Sequence, residues 1–505
     1  MEDPIRQLQS FPPPNITDLS DADYDRLIKE HVQLIMQGPV EQASGDITNA
    51  TQFLQASCAP ANSPPTQRRH RACAALDPAV HTISFGLVLE ATLRKHSSDV
   101  TPLFASELLK FTALLDRIQI RYIGPSAVYL LDTILDLKIL NATIAVDAVT
   151  TALLRIDPSI SFLSSIRSRV VTIAYKASLL DLVMPLVSTV PLHFPGGPYP
   201  PAPHLCSRML PPPEYMANMS ATITSRDVLM YEMTCGLALC TKGQWKAARN
   251  SFGRCAVHRL RNGGLVNVSV DAYKRWILTT LIVLGSVGPA TFPSPSTQIM
   301  HKVFSSLSKP YMEVAQAFGK SYADLQAQID SHSVTWVRDN NAGLIEMVCG
   351  YYPKWQISRL QNIYRRCTVS EIQQHLSTTM AGSTPNLENT AAMVQAMISE
   401  SMVMARLVPA QDNVPAHVVF LKPSEFRTPA ELKARFNALR DSMARLESVG
   451  QDMTRLVKTL PDYVLAMNHD AKRKKPVPEG DKLPPADFDI SMDDEDLMAG
   501  ISTAA

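Results

Sequence analysis

The chain has 505 residues, of which 46% are hydrophobic and 19% charged, a balance typical of folded proteins that excludes intrinsic disorder for most of its length. Lys and Arg total 48 and Asp and Glu total 47. The resulting net charge of +1 is too small to favour binding to nucleic acid or an anionic membrane. The length exceeds what one hydrophobic core usually supports, which predicts more than one domain.

Cysteine spacing and the lengths of apolar runs exclude two further classes. The eight cysteines are scattered without a CxxC pair, which favours reduced thiols in a cytosolic or nuclear protein. The first 20 residues lack the basic and apolar segments of a secretory signal. The longest apolar stretch, 276–287, is shorter than the roughly 20 residues of a membrane span, so we expect it to form a buried helix.

The first predicted domain, 1–184, carries a helical pattern. Apolar residues recur at three- and four-residue spacing over 24–53 and 80–187, which predicts amphipathic helices. Short clusters of Pro and Gly separate these runs, as tight connections between packed helices require. We therefore expect N-terminal helical repeats.

A proline-rich insert is predicted at 185–214. Ten prolines and the pair Gly196-Gly197 lie between Pro185 and Pro213, a density that opposes regular helix and leaves no partner strand. The interpretation we favour is a solvated loop. The alternative is a proline motif that binds another domain.

The next predicted domain, 215–350, contains a helical hairpin with the pattern of a tetratricopeptide (TPR) repeat. Small residues alternate with bulky ones so that two helices can approach closely. These residues are Gly236, Leu239, Gly243, Trp245, Ala248, Phe252 and Cys255. One such hairpin cannot bury its apolar face alone, so neighbours must stack on it. We predict a mainly α fold with a right-handed, TPR-like solenoid that leads into the following domain.

Three helices and a β-hairpin are predicted over 351–425, the order of a winged helix. We expect the helices at 357–366, 369–378 and 386–404, the second opened by Ser370, and the strands at 406–408 and 417–421. The third helix carries Met393, Met397, Met402 and Met404. Such a stripe indicates core packing, with an adaptable protein interface as the alternative.

A long C-terminal helix is predicted within 426–467, over 428–460, because its apolar residues repeat every seven positions. One row contains Leu432, Leu439, Leu446, Met453 and Leu460, and the other contains Phe436, Met443, Gly450 and Val457. We favour pairing of this seam with helices of other chains. The alternative is packing back onto the same chain's winged helix.

The polar tail, 468–505, is predicted to be disordered. It contains the basic tetrad Lys472, Arg473, Lys474 and Lys475, followed by an acidic tract from Asp487 to Asp496. The tetrad is either a nuclear-import signal or part of a solvated terminus, and both interpretations remain open.

The order of solenoid, winged helix and terminal helix resembles the PCI proteins, which supply scaffold subunits to the proteasome lid, the signalosome and a translation initiation factor. Three segments, 272–285, 309–311 and 332–344, resemble the third-subunit family of the COP-nine signalosome, with Arg338-Asp339-Asn340-Asn341 as the core of the last. The resemblance spans about 229–467. The proline-rich insert departs from it, as does Ser401, which stands where a glycine often ends the third helix.

The resemblance implies a non-catalytic scaffold subunit that supports removal of the ubiquitin-like modifier Nedd from cullin-RING ubiquitin ligases. A separate metalloprotease subunit performs that reaction, subunits one and eight are the implied neighbours, and the implied location is cytoplasmic and nuclear. The chain itself has no HxH pair and no GxGxxG, GxxxxGK[ST] or GxSxG motif. We therefore predict no catalytic residue, metal, cofactor or small-molecule substrate.

Main-chain pairing offers a route to assembly, because an open sheet edge can accept a strand from a neighbour. We expect the open edge at the hairpin, with Arg406, Val408, His417, Val419 and Leu421 at the interface.

Two other functions remain as alternatives to a signalosome subunit. The first is a PCI subunit of the proteasome lid or of the initiation factor. A winged-helix DNA-binding protein is the second and is disfavoured, because 371–405 contains no Lys or Arg.

Overall fold

The computed structural model describes residues 4–13, 19–45, 47, 50, 51, 54, 76–96, 100–196, 204–207, 210–258, 267–288, 298–380, 386–410, 415–421 and 429–459. The described chain is mainly helical, as predicted, and it contains one three-stranded sheet. Two compact units divide the chain, Met1–Ala434 and Arg435–Ala505. None of the helices in the described ranges combines the length and the apolar character needed to cross a bilayer.

The N-terminal part contains nine helices among its described residues. They are α1 (Pro4–Leu8), α2 (Asp21–Met36), α3 (Pro39–Ala43), α4 (Thr82–Lys95), α5 (Pro102–Leu114), α6 (Gly124–Asp136), α7 (Ala142–Ile156), α8 (Ser165–Lys176) and α9 (Leu180–Ser188). Thr101, Asn141 and Ser164 each accept a hydrogen bond from a backbone N–H in the first turn of α5, α7 and α8, which stabilises the helix start. Apolar faces of these helices form one continuous core.

The proline-rich insert is more ordered than predicted. Helix α9 continues through Pro185 to Ser188, and α10 (Pro212–Met216) begins with prolines at its first two positions, where a missing N–H costs little. His193 lies between these two helices, and its carbonyl accepts a hydrogen bond from the Leu163 N–H at 2.9 Å. The expectation of an insert without helix or pairing is therefore wrong for its described part.

Two buried arginines form hydrogen bonds with backbone carbonyls in the first and second halves of this insert. The Arg167 guanidinium donates to the carbonyls of Leu186 and Thr189 at 2.6 Å each, at the end of α9, where the last carbonyls of a helix have no acceptor role within the helix. The Arg121 guanidinium donates to the carbonyls of Leu205 and Ser207 at 2.8 and 2.9 Å. A solvated loop would not bind a buried side chain in this way, so the described insert packs against the N-terminal helices.

The predicted TPR-like hairpin is formed by α11 (Ser225–Thr241) and α12 (Trp245–Val257). A Cβ built on Gly236 would lie 2.4 Å from the Phe252 ring, so only glycine permits this helix approach. Gly243 has a φ of +68° and reverses the chain between the two helices. The small and bulky residues therefore meet as the pattern predicts.

Five further helices follow this hairpin in the described chain. They are α13 (Asn267–Leu284), α14 (Gln298–Leu307), α15 (Lys309–Phe318), α16 (Tyr322–Ser331) and α17 (Ser333–Arg338). The predicted buried helix at 276–287 is the second half of α13, where Trp276, Ile277, Leu278 and Leu281 are all buried. Its core is continuous with that of the N-terminal helices.

Helix α18 (Ala342–Leu360) belongs to two cores. Val348 and Tyr352 pack in the large helical core, whereas Ile357 and Leu360 pack in a smaller second core. This second core also contains residues of α19 (Val369–Thr379), α20 (Leu387–Ser399) and the sheet. The shared helix thus connects the stacked helices to the sheet.

The sheet consists of β1 (Arg366–Thr368), β2 (Ala405–Val408) and β3 (His417–Phe420), in the order β1-β3-β2 and antiparallel throughout. The predicted hairpin is β2 and β3, and β1 was not predicted. The helix expected at 357–366 ends at Leu360, and the helix expected at 386–404 ends at Ser399. Helix α19 is opened by a Thr368–Glu371 capping box rather than by Ser370.

Ser401 occupies a left-handed conformation, with a φ of +58°, in the turn between α20 and β2. A non-glycine residue is strained there, so we expect Ser401→Gly to raise the free energy of unfolding by about 0.5 kcal/mol, measured by chemical denaturation. Ser399→Gly, two residues earlier at the helix end, should lower it by a similar amount. A Ser401→Gly protein less stable than the parent would contradict the expectation.

The last described helix, α21 (Pro429–Thr459), occupies the span predicted for the C-terminal helix. Its predicted limits, Thr428 and Leu460, lie outside the described residues.

Candidate interaction surfaces

The sheet gathers most of the predicted hairpin-interface residues on one face. Residues paired across antiparallel strands point to the same side, which gives a row of Arg366, Val419 and Arg406 and a second row of Thr368, His417 and Val408. We call these six residues the outer sheet face. All six are exposed or partly exposed, whereas the residues between them, Cys367, Val418 and Leu407, pack in the second core.

The open edge of the sheet is not where the sequence placed it. Strand β3 is central and bonds to both neighbours, so the expectation of a free edge at His417 and Val419 is wrong. Leu421 follows β3, and its N–H donates to the Met404 carbonyl at 2.8 Å. Arg406 and Val408 lie on β2, beside which the described chain contains no further strand. Their role in an interface stays a prediction.

The seam of α21 is exposed in the part where its side chains are described. Phe436, Leu439, Met443 and Leu446 have exposed fractions of 70%, 58%, 69% and 72%. Spacings of three and four residues place them on one side of the helix. Such a row of large apolar side chains on a helix is typical of a surface that pairs with another helix.

The remaining predicted residues of the C-terminal region lie partly or wholly outside the described residues. Leu432, Met453 and Val457 belong to α21, but only their backbone is described, and Leu460 lies outside the described residues. The tetrad Lys472, Arg473, Lys474 and Lys475 also lies outside them.

The three segments that carry the family resemblance meet at one place. Asp339, from the end of α17, accepts hydrogen bonds from Lys274 of α13 at 2.9 Å and from the Tyr311 hydroxyl of α15 at 3.0 Å. Asn341 donates to the same hydroxyl at 2.8 Å. We call Lys274, Tyr311, Asp339 and Asn341 the junction cluster. It joins three helices directly before α18 carries the chain to the sheet.

The junction cluster is nearly closed to solvent. Tyr311 and Asn341 are buried, and the side chains of Lys274 and Asp339 are 14% and 9% exposed. Burial opposes ionisation of the Asp339 carboxyl, but hydrogen bonds from Lys274 and Tyr311 outweigh it and hold its pKa below the ordinary value. The Asp339 carboxylate therefore holds helices together here, since its hydrogen-bond donors come from α13 and α15.

His, Cys, Asp and Glu side chains are groups of this chain that could bind a metal ion or act as nucleophiles. Within the described ranges, no cluster of three or more His, Cys, Asp or Glu is arranged to hold a metal ion. Burial raises the pKa of the Cys235, Cys240 and Cys255 thiols to about 12 each. A thiol with so high a pKa forms little of the nucleophilic thiolate at neutral pH, so these three cysteines are inert packing residues.

Comparison with known proteins shows similarity to signalosome subunits. The chain is 29% identical over 446 residues to COP9 signalosome complex subunit 3 of Neurospora crassa, covering 84% of this chain and 88% of that protein. It is 26% identical over 407 residues to COP9 signalosome complex subunit 3 of Emericella nidulans, covering 76% of each. No protein-family model matches the chain.

Proposed function

We propose that this chain, which is similar to COP9 signalosome complex subunit 3 of two organisms, is a non-catalytic scaffold subunit of a signalosome. The similarity along 84% of the chain and 88% of the Neurospora protein carries the proposal. The buried junction cluster supports it, because residues from the three segments that resemble the family hold helices together.

We assign the region from α18 to β3 to a winged helix of the PCI type. Supporting this assignment, the order of elements is helix, strand, helix, helix, strand, strand, and the sheet order is β1-β3-β2. A separate small core gives the region its own interior. The domain limits 1–184, 185–214, 215–350, 351–425, 426–467 and 468–505 belong to the same proposal.

The proposed role places the chain in the cytoplasm and nucleus, with signalosome subunits one and eight as direct neighbours. Removal of the ubiquitin-like modifier Nedd from cullin-RING ligases is then performed by a separate metalloprotease subunit. In this arrangement the chain contributes binding surfaces rather than reacting groups. The exposed seam of α21 and the edge of β2 are the surfaces we assign to assembly.

Mass spectrometry of the native complex tests the proposed function. A tagged full-length chain, purified at endogenous level, should co-purify with the other signalosome subunits in fixed proportion. Recovery of proteasome-lid or initiation-factor subunits in that proportion would instead assign the chain to one of those assemblies. Recovery as a single chain bound to duplex DNA would assign it to the DNA-binding class.

The seam of α21 allows a sharper test. Leu439→Asp combined with Leu446→Asp places two charges in an apolar helix interface, and we expect at least a tenfold loss of co-purified signalosome subunits. Asn437→Asp combined with Ala444→Asp has the same seven-residue spacing on another side of α21 and should leave the complex intact. Full complex recovery with the leucine variants would refute the role of the seam.

A further inference from the structure

The outer sheet face carries two unpaired positive charges. Arg366 and Arg406 are exposed and stand on either side of Val419 in one row. Two strand spacings separate them, so their Cα atoms lie about 10 Å apart. Neither guanidinium forms an ion pair with an acidic side chain of the described residues, in contrast to Arg169 and Arg254 elsewhere in the chain.

Large apolar side chains lie next to this row. Ile363 and Tyr364 are 71% and 51% exposed, and Tyr364 precedes Arg366 by two residues. Two residues of extended chain span at most about 7 Å, so the aromatic ring begins close to the arginine row. Val419 lies between the arginines and is partly buried. The surface thus combines two guanidinium groups with apolar area.

We propose that the outer sheet face binds an acidic segment of a neighbouring subunit, one that also carries an apolar side chain. Guanidinium groups bind carboxylates with two parallel hydrogen bonds, which orient a partner as well as attract it. Val419, Ile363 and Tyr364 supply apolar area that an acidic segment with an aliphatic or aromatic residue covers. This inference rests on the proposed scaffold function and names the chemistry of one partner.

A peptide fits this face better than nucleic acid does. Binding to a nucleic-acid backbone needs positive charge at many phosphates, whereas the region of α19 and α20 contributes none: 371–405 contains no Lys or Arg. Glu371, Glu388 and Glu400 are exposed on the same region. Two arginines beside apolar side chains match a short peptide contact, in which Arg and aromatic residues contribute most of the binding energy.

Site-specific crosslinking in the assembled complex tests the inference. The photoreactive amino acid benzoylphenylalanine replaces His417, which lies in the outer sheet face next to the arginine row. After irradiation of the purified complex, mass spectrometry identifies the crosslinked peptide. We expect a segment of another subunit that contains two or more Asp or Glu residues and an aliphatic or aromatic residue.

Charge reversal supplies the comparison. Arg366→Glu combined with Arg406→Glu should reduce that crosslink more than tenfold, because charge-assisted hydrogen bonds are lost and like charges are opposed. Arg226→Glu combined with Lys246→Glu makes the same change of charge at exposed positions of α11 and α12 and should leave the crosslink unchanged. Changing the acids of the captured segment to lysine should restore it with the reversed arginines.

The outcomes separate this inference from the proposed function. A chain that assembles with the other signalosome subunits but crosslinks to a segment without acids, to nucleic acid, to itself or to nothing overturns the inference alone. An unchanged crosslink in the arginine variant also overturns it. A chain that does not co-purify with those subunits overturns the proposed function and, with it, the assignment of the partner to a neighbouring subunit.

Discussion

Replacing Asp339 by alanine is expected to lower the free energy of unfolding by about 3 kcal/mol, because it leaves the ammonium group of Lys274 without its buried partner. The carboxylate also accepts a hydrogen bond from the buried Tyr311 hydroxyl at 3.0 Å, and a buried polar group without a partner adds to the loss. Chemical denaturation of the full-length protein at pH 7 measures the effect.

Asp271 provides a matched control on the same lysine. Its carboxylate lies 3.2 Å from the Lys274 ammonium but is 46% exposed, and exposed ion pairs contribute at most about 1 kcal/mol. We therefore expect Asp271→Ala to have less than a third of the effect of Asp339→Ala. Equal effects of the two substitutions would show that the buried position of Asp339 contributes nothing.

The junction cluster also shows where sequence reasoning reached its limit. The segments around Lys274, Tyr311 and Asp339 were recognisable by resemblance, yet nothing in their spacing indicates that they touch. Their contacts join residues 28 and 65 positions apart in the chain, and such distances follow from how helices stack rather than from any local pattern. A helical period predicts which face is buried but not which helix covers it.

Strand β1 explains why the open edge was misplaced. A three-residue strand, Arg366–Thr368, is too short to show the alternation by which strands are found, and the apolar pattern before it continued the preceding helix in the prediction. Without β1, the hairpin strand β3 seemed to have a free side. Because β1 pairs with β3, the strand of the hairpin with an open edge is β2. Four of the residues predicted at the edge therefore lie on the outer sheet face instead.

The buried arginines show a second limit. Arg121 and Arg167 are only 2% exposed, although arginine is among the residues most rarely buried. Their partners are backbone carbonyls, which every residue possesses, so no residue type in the sequence marks them. By contrast, the contact between Gly236 and Phe252 and the helix α21 were predictable, because both follow from side-chain size and spacing within one hairpin or one helix.

Acidification is expected to destabilise the N-terminal helices through His31. Its imidazole is 7% exposed, and Ser10 and Ser84 hydroxyls lie 3.0 Å from its two ring nitrogens. Burial, with a smaller contribution from nearby His81, lowers the pKa of His31 from 6.5 to about 4. The neutral ring therefore stabilises the fold above pH 6.5, and this contribution is lost as the pH falls from 6.5 towards 4.

The shift corresponds to about 3 kcal/mol between those limits, since one pKa unit equals about 1.4 kcal/mol. Denaturation between pH 7 and pH 5 should show a decline in stability that is smaller in the His31→Gln protein, because glutamine does not titrate. His375→Gln, at a partly exposed position on α19, should leave the decline unchanged. Equal slopes in the parent and His31→Gln proteins would place the acid sensitivity elsewhere, whereas a shallower slope in the variant assigns the difference to His31, which lies between α2 and α4.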